Sequence, residues 1–344
     1  MAQRDFNKSY FQIIPIAVII SISIGIYANS LQNTFVYDDE ETVVENQIIK
    51  SWGNLSILFN SDYFESSGEL SYRPVVTFTY FIDYFFWKLN PKGYHLSNVL
   101  LHALTSVLLY IFVRLIGQKF KWDNPEYTAL FAGILFCVHP VLSETVNAVS
   151  FREDILAALF LVLSLTLFVK SDLVSLSAKS VRVTFYIGSL VSFFFALLSK
   201  EMAITMPLLL FLLDISTINK WQNGNLKYCN IRSNVITFVA KRYSGFIIVC
   251  CIYFLVRFLL LYNPDENINY ADYSILTNSL TMTKVVASYF KLFFFPLVLN
   301  ADYVVRFSSS PLDSAFLISL FILTSLIIIL VKIYKIKNDV FFAI

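Results

Sequence analysis

FQIIPIAVIISISIGIYANSL, residues 11–31, decides the class of fold, because it is an apolar run of about 20 residues. A helix of that length crosses the hydrocarbon layer of a bilayer. Arg4 and Lys8 precede the run, and no small-residue cleavage site follows it. We therefore expect an uncleaved signal-anchor whose N-terminus lies on the inner side of the membrane.

The composition of the whole chain also indicates a membrane protein. Of the 344 residues, 57% are hydrophobic and 15% are charged, whereas soluble domains carry about 25% charged residues. The formal net charge of +2 argues against a nucleic-acid-binding surface. The four cysteines lack metal-ligand or redox-motif spacing, so we interpret them as core or lipid-facing residues and expect no metal site built from them.

Eight apolar segments predict an all-α polytopic bundle. The expected spans are 11–31, 96–116, 128–146, 154–170, 183–199, 202–218, 244–262 and 314–333. Two shorter apolar segments, 74–89 and 285–299, predict interfacial or re-entrant helices because they contain charged residues or proline. We treat 1–344 as one membrane domain. A further apolar segment begins at Val340 and stops at Ile344, which is typical of a fragment or of one part of a longer architecture.

Basic residues set the expected orientation. With the N-terminus inside, most of the 26 Lys and Arg fall on inner segments, and most of the 24 Asp and Glu fall on the outer side. The outer face is expected to consist of two long segments, 32–92 and 263–312. The first is too rich in aromatic residues for disorder, so we expect it to fold onto the membrane surface.

An acidic pair stands directly beyond the first span, in FVYDDEET (residues 35–42). Asp38 and Asp39 are neighbouring carboxylates, and their repulsion near a low-dielectric boundary raises one pKa unless a cation or metal compensates. Such a pair can act as a general base or bind a metal. The alternative is a solvated loop in which Thr42 and Glu45 form the capping box of a short helix.

Two polar patterns accompany the second span. Ser71-Tyr-Arg-Pro74 is expected to open an interfacial helix and to set Arg73 at the membrane surface, where its guanidinium suits phosphate binding or contact with lipid headgroups. His95, Asn98 and His102 share one helical face at the start of the second span. They are either ligands or polar groups that pack between helices.

Two further polar clusters return to the outer face. Residues 139–154, HPVLSETVNAVSFRED, turn between the third and fourth spans and carry charged groups near the bilayer boundary. These groups are functional candidates, and the alternative is an internal ion pair that fixes the hairpin. Ser199-Lys-Glu201 forms a tight charged hairpin between the fifth and sixth spans. Five polar features from five separate segments are thus expected on one side of the membrane.

These motifs, in this order, resemble the membrane region of the transmembrane and tetratricopeptide-repeat O-mannosyltransferases and their bacterial relatives. The resemblance rests on FVYDDEETVVEN, SYRPV, NPKGYHLSNVLLHAL, HPVLSETVNAVSFREDILA and LLSKEMAIT, and it resumes weakly at LVRFLLLYNP and YFKLFFFPLVLNADY. That family belongs to the C-type glycosyltransferases, so the resemblance implies a C-type helical bundle. No tetratricopeptide repeats follow in this chain. Where relatives commonly have Gly-Arg-Ala-Asp, this chain has Phe-Arg-Glu-Asp at 151–154.

The resemblance also implies a reaction. The donor is a polyprenyl- or dolichyl-phosphate sugar, mannose or a related hexose, and the acceptor is a protein or glycan hydroxyl. We expect Asp38 to be the base, with Asp39 orienting either Asp38 or the acceptor, and an inverting single displacement. The expected ligands of the donor phosphate are Arg73, Arg152 and Lys200. The expected supporting residues are Tyr72, His95, His102, His139, Glu144, Asp154 and Glu201.

Other classes of function remain open to the sequence. A lipid-linked-substrate transporter or flippase would place polar groups near the bilayer midplane, and a non-catalytic scaffold needs no shared polar face. No cofactor is expected with certainty, although a divalent cation is possible for a C-type enzyme. The expected location is the bacterial plasma membrane with the site outside, or the endoplasmic reticulum membrane with the site in the lumen.

Overall fold

Helices form the regular structure in the computed structural model, which describes residues 2–67, 71–175, 177–223, 235–261, 274–300 and 303–336. None of these residues lies in a strand, and the expected all-α class is confirmed. The α-helices are α1 (Ala2–Tyr27), α2 (Asp62–Ser66), α3 (Pro74–Trp87), α4 (Pro91–Phe120), α5 (Pro125–Val138), α6 (Ser143–Asn147), α7 (Arg152–Leu173), α8 (Lys179–Leu197), α9 (Met206–Asn223), α10 (Val235–Phe254), α11 (Ile275–Phe294) and α12 (Ser314–Ile336).

Six helical segments in the described part of the chain are long and apolar enough to span a bilayer. They are Ile13–Gln32, Pro91–Phe120, Arg152–Leu173, Lys179–Leu197, Arg242–Leu259 and Ser314–Tyr334. A seventh span results if the pair Pro125–Val138 and Pro140–Asn147, bent by 46°, is counted as one. This bent pair covers the expected span 128–146. The chain is therefore a multi-pass integral membrane protein.

Three expected helices can be compared with the structure in detail. The short helix expected at 74–89 is α3, and Pro74 stands in its first turn as predicted. The sixth expected span, 202–218, corresponds to α9, which begins only at Met206 and whose second half is polar, so it is not among the candidate spans. The segment expected at 285–299 belongs to the longer helix α11, which starts earlier because the Ser274 hydroxyl accepts a hydrogen bond from the Thr277 amide.

Some expected features fall outside the described residues. These are 263–273 and 301–302, within the second expected outer segment, and the apolar segment at 340–344.

The chain divides into two compact units. The first contains Met1–Leu210 and Cys229–Asp265, and in it α7 packs against both α4 and α8. Helices α1, α4 and α5 also meet closely, since a Cβ on Gly133 would lie 2.8 Å from Ile19 and 3.1 Å from Tyr110. Ser164 of α7 and Ser189 of α8 donate to each other's carbonyls at 2.7 and 2.8 Å, which satisfies two hydroxyls inside the bundle.

The described part of the 32–92 segment is folded, as its aromatic content predicts. Its Val43, Leu58 and Tyr63 are buried in one apolar cluster with Val149 and Leu156. The segment therefore packs onto the N-terminal end of α7 and the turn that precedes it.

The second unit contains Phe211–Tyr228 and Glu266–Ile344. In it α11 packs against α12, and the Lys284 ammonium lies 3.4 Å from the Asp313 carboxylate.

Candidate functional site

The turn at residues 146–154 organises the polar end of the first unit. The Asn98 amide of α4 donates to the carbonyls of Val146 (3.4 Å) and Ala148 (3.0 Å). The Tyr80 hydroxyl of α3 donates to the Val149 carbonyl at 3.0 Å. Because α3 and α4 both bond to this backbone, the Cα positions of the residues in the 146–154 turn are well defined.

The acidic pair is joined to the same turn. Tyr37 has a left-handed backbone conformation with φ of 52°, and the chain reverses there. The reversal places Asp39 in the interior, where its carboxylate accepts hydrogen bonds from the amides of Val36 (3.0 Å) and Ser150 (2.6 Å). Asp38 is exposed instead. The two neighbouring carboxylates thus occupy different environments, and Asp38 is the one open to an incoming molecule.

The backbone around Asp38 is also fixed. Its carbonyl accepts hydrogen bonds from the Thr42 amide (2.9 Å) and the Thr42 hydroxyl (2.7 Å). Residues Glu40–Val44 then form a π-helical turn, so the alternative in which Thr42 and Glu45 form a capping box does not apply. Thr42 lies inside this turn and does not cap it.

Arg152 is the largest fully buried side chain of the site, with 0% exposure. Its Nε donates to Asn98 (2.7 Å), and its terminal nitrogens donate to the Thr79 hydroxyl (3.1 Å) and the Tyr94 carbonyl (3.0 Å). The Asp83 carboxylate lies 2.5 Å from the guanidinium. This is the internal ion pair that the sequence leaves open as an alternative. A role for Arg152 as a phosphate ligand stays a prediction, and it requires this pair to open.

Asp83 is the residue that sequence reasoning missed here. It is the only acid in α3, and it also accepts a hydrogen bond from the Ser97 hydroxyl at 2.6 Å. A lone carboxylate on an apolar helix is a signal that could have identified it, because such a group needs a buried partner.

A second charged group surrounds Glu153. Its carboxylate, only 9% exposed, pairs with the guanidinium of Arg73 and, at 2.8 Å, with the ammonium of Lys200. Lys200 also lies 2.8 Å from both carboxylate oxygens of Asp154. Burial alone would lower the pKa of Lys200, but Glu153 and Asp154 outweigh it, and the pKa lies above its ordinary value. Three predicted site residues, Arg73, Asp154 and Lys200, are therefore brought together.

Glu201 is the more exposed acid beside this charged group. Its Oε2 lies 3.8 Å from Arg73 Nε and 3.8 Å from a terminal nitrogen of Arg257. Arg257 is buried and donates to the Tyr253 hydroxyl at 2.8 Å. Sequence reasoning assigned no role to Arg257, although it is the single basic residue in the apolar stretch LVRFLLL.

Two further candidates, Tyr72 and His95, are buried near the acidic pair or the apolar cluster of the 32–92 segment. The Tyr72 hydroxyl donates to the Leu58 carbonyl at 2.9 Å, and burial raises the pKa of Tyr72 to about 12. His95 is fully buried beside the backbone of Thr34, within electrostatic range of Asp39.

Three other predicted residues lie outside the charged group: two histidines bond to nearby backbone groups, and one acid is exposed. The His102 ring contacts the Cys137 carbonyl at 3.1 Å, so it links α4 to α5 as a packing polar group. His139 Nδ1 accepts from the Val141 amide at 3.3 Å and begins the turn after α5. Glu144 is exposed on α6. No group of three His, Cys, Asp or Glu side chains within the described ranges could hold a metal ion.

A separate charged cluster lies at the C-terminal end of α7. The Arg242 guanidinium of α10 donates to both oxygens of Asp172, at 2.9 and 2.7 Å, and Lys119 of α4 donates to the same carboxylate at 2.8 Å. None of these residues was predicted as a site, and their direct contacts fit a structural role.

Comparison with known proteins gives partial matches to one group of enzymes. The chain is 33% identical over 159 residues to the protein O-mannosyl-transferase F38B6.6 of Caenorhabditis elegans, covering 45% of this chain and 23% of that protein. It is 33% identical over 220 residues to the protein O-mannosyl-transferase TMTC4 of Homo sapiens, covering 59% and 29%. It is 30% identical over 161 residues to the protein O-mannosyl-transferase TMTC3 of Mus musculus, covering 45% of this chain and 17% of that protein.

The chain thus resembles the membrane region of TMTC-type protein O-mannosyl-transferases. It spans less than a third of the length of the curated relatives it matches. No protein-family model and no solved structure matches it significantly.

Proposed function

We propose that this chain is the membrane domain of a C-type glycosyltransferase. It moves a hexose, mannose by resemblance, from a polyprenyl- or dolichyl-phosphate carrier to a hydroxyl group of a protein or glycan. The names of the matched relatives support the sugar and the protein acceptor. The multi-span architecture supports a donor whose tail stays in the bilayer.

The hydrogen bond between Asp39 and the Ser150 amide carries this proposal. It ties the acidic pair to the 146–154 turn, from which Glu153 and Asp154 lead directly to Arg73 and Lys200. A base and a set of cations on one rigid support are what transfer from a lipid phosphate needs.

The reaction is a single displacement with inversion at the sugar. The acceptor oxygen forms a bond to the anomeric carbon while the bond from that carbon to the phosphate oxygen breaks. Asp38 takes the proton of the acceptor hydroxyl, and the departing lipid phosphate keeps the electron pair of the broken bond. Asp39 holds the Asp38 backbone in place through its own buried hydrogen bonds.

Arg73 and Lys200 are the proposed cations on the phosphate side. Both keep part of their side chains exposed, 20% and 18% respectively, whereas Arg152 is enclosed. Arg152 supports them by fixing the 146–154 turn. We place the reaction at the membrane face opposite the N-terminus, which is the outer face of a plasma membrane or the lumenal face of the endoplasmic reticulum.

Replacement of the proposed base tests the function. Membranes that contain the full chain are given a polyprenyl-phosphate mannose and a peptide with serine and threonine hydroxyls, and mannosyl-peptide is counted. We expect Asp38→Asn to lower turnover by about a hundredfold or more, because general-base catalysis contributes about that much. The matched control is Glu41→Gln, an exposed acid three residues away, which should retain wild-type turnover.

Two results would contradict the proposal. Undiminished turnover in Asp38→Asn would remove Asp38 from the mechanism. Movement of the intact donor across proteoliposomes, without transfer to the peptide, would instead favour a transporter of lipid-linked substrates.

A further inference from the structure

Glu201 is held more loosely than any other carboxylate in the charged group around Arg73. Its Oε2 lies 3.8 Å from both Arg73 Nε and Arg257, beyond the 2.7–3.2 Å usual for a hydrogen bond. By contrast, Glu153 makes direct contacts to Arg73 and Lys200. The Glu201 side chain is also 40% exposed, whereas that of Glu153 is 9% exposed. Glu201 is therefore the carboxylate that can leave without breaking a close ion pair.

The two guanidiniums on either side of Glu201 are firmly placed. Arg73 is joined to Glu153, and Arg257 is buried and bonded to Tyr253. Arg257 lies in a π-helical turn, Leu255–Leu260, that follows α10 directly. Such turns are unusual and occur frequently at functional sites. Two fixed guanidiniums that face one poorly bonded anion form a geometry suited to a larger anion with more oxygens.

The charges of the group agree with an exchange of anions. Arg73, Lys200 and Arg257 are three cations, and Glu153, Asp154 and Glu201 are three acids. When Glu201 turns into solvent, the two guanidiniums lose one negative charge from their surroundings. A sugar-linked lipid phosphate is a diester with one negative charge, so it replaces the charge of the Glu201 carboxylate one for one.

We propose that Glu201 is a placeholder for the phosphate of the lipid-linked donor, and that Arg73 and Arg257 together bind this phosphate. This inference rests on the proposed function for the identity of the donor. The arriving phosphate displaces the Glu201 carboxylate and takes over its contacts with the two guanidiniums. After transfer, Glu201 competes with the product, a lipid monophosphate, and helps to release it.

Binding of a long-chain polyprenyl monophosphate to the full chain in lipid nanodiscs tests the proposal without sugar or acceptor. We expect Glu201→Gln to bind the lipid about fivefold to tenfold more tightly, because the competing charge is gone. Arg257→Gln should bind it about tenfold more weakly or worse. Arg257→Lys, which keeps the charge and loses the planar fork, should fall between Arg257→Gln and wild type, and it serves if Arg257→Gln does not fold.

Matched controls come from the same chain. Glu126→Gln removes a carboxylate of similar exposure (45%) that pairs with Arg114, and Arg242→Gln removes the arginine at the other end of the same candidate span. Neither should change the affinity for polyprenyl monophosphate. Polyprenol, which has the tail but no phosphate, should bind equally to all variants.

Several results would overturn the assignment. Unchanged or weaker binding in Glu201→Gln would show that Glu201 is no placeholder, and wild-type binding in folded Arg257 variants would exclude Arg257. Competition by inorganic phosphate or phosphatidic acid as strong as that of the polyprenyl lipid would remove the donor as the ligand. Because no transfer is measured, these outcomes are independent of a failure to detect mannosyl transfer.

Discussion

The two ends of the span Arg242–Leu259 carry the same kinds of residue in different geometries. At one end, Arg242 binds Asp172 through two hydrogen bonds of 2.9 and 2.7 Å, and Lys119 adds a third contact at 2.8 Å. At the other end, Arg257 approaches Glu201 only to 3.8 Å. The span α7 connects the same two clusters, since it supplies Asp172 at one end and Glu153 at the other.

The difference between these contacts indicates which of the two charged clusters can exchange a carboxylate for another anion. A carboxylate that makes close bonds to two cations has little reason to exchange them for another anion. A carboxylate that lies half-exposed between two guanidiniums, at a distance too long for hydrogen bonds, has much less to lose. The close contacts at Asp172 therefore fit a structural role, and the looser contacts at Glu201 fit the ligand site that we propose there.

The largest expected effect concerns the buried pair that supports the open cluster. Arg152→Met should cost about 3–5 kcal/mol of unfolding free energy, because it leaves the Asp83 carboxylate buried without its ion-pair partner. Unfolding by a denaturing detergent in mixed micelles, followed by tryptophan fluorescence, measures this loss. The double variant Arg152→Met/Asp83→Leu should recover most of it. A loss below about 1 kcal/mol in the single variant would mean that the pair does not hold the turn.

The next effect compares the two ends directly. Asp172→Asn should lower the unfolding free energy by about 2 kcal/mol, because it weakens three charge-assisted hydrogen bonds, and it should leave polyprenyl monophosphate binding unchanged. Glu201→Gln should do the opposite, with a stability change within about 0.5 kcal/mol and a clear change in binding. Equal stability losses in the two variants would erase the distinction between a structural and an open cluster.

The smallest effect is a dependence of stability on alkaline pH. Since the pKa of Lys200 is raised in the folded protein, its ammonium contributes stability that is fully present below its ordinary pKa of 10.5 and is lost as the pH rises through the folded-state value. We expect wild type to be about 1 kcal/mol more stable than Lys200→Met at pH 8, as for partly exposed ion pairs. This difference in unfolding free energy should become smaller above pH 10.5. A difference that stays constant to higher pH would contradict a stabilising role of the Lys200 ammonium.

Much of the architecture could be predicted from the sequence, because long apolar runs have few alternatives to a spanning helix. The span expected at 202–218 is not among the candidate spans, because α9 begins only at Met206 and its second half is polar. The hydropathy of the apolar first half alone suggested a span that the whole helix does not support. The start of α11 was missed because a hydroxyl cap at Ser274 sets it rather than an apolar pattern.

The site could be predicted in part. Motif order predicted Arg73, Asp154, Lys200 and Glu201 as polar groups on one face, and the structure brings these four into one charged group. Their roles, and that of Asp38, stay predictions. The choice of Asp38 over Asp39 as the base had no local reason in the sequence, because their difference in burial depends on the Ser150 amide and on the chain reversal at Tyr37. The sequence could not select Arg257 either, since a single arginine in an apolar stretch gives no information on which carboxylate lies opposite to it.

The bond between Asp39 and Ser150 has a consequence for biogenesis. The two residues are 111 positions apart, and a chain emerging from the ribosome is synthesised from its N-terminus. Asp39 therefore lacks its buried donor until α4 and the bent pair Pro125–Val138 and Pro140–Asn147 have been made and Ser150 has followed them. The buried environment of Asp39 is therefore complete only after those helices have been made, and a stalled or shortened nascent chain carries Asp39 without the Ser150 amide that bonds to it.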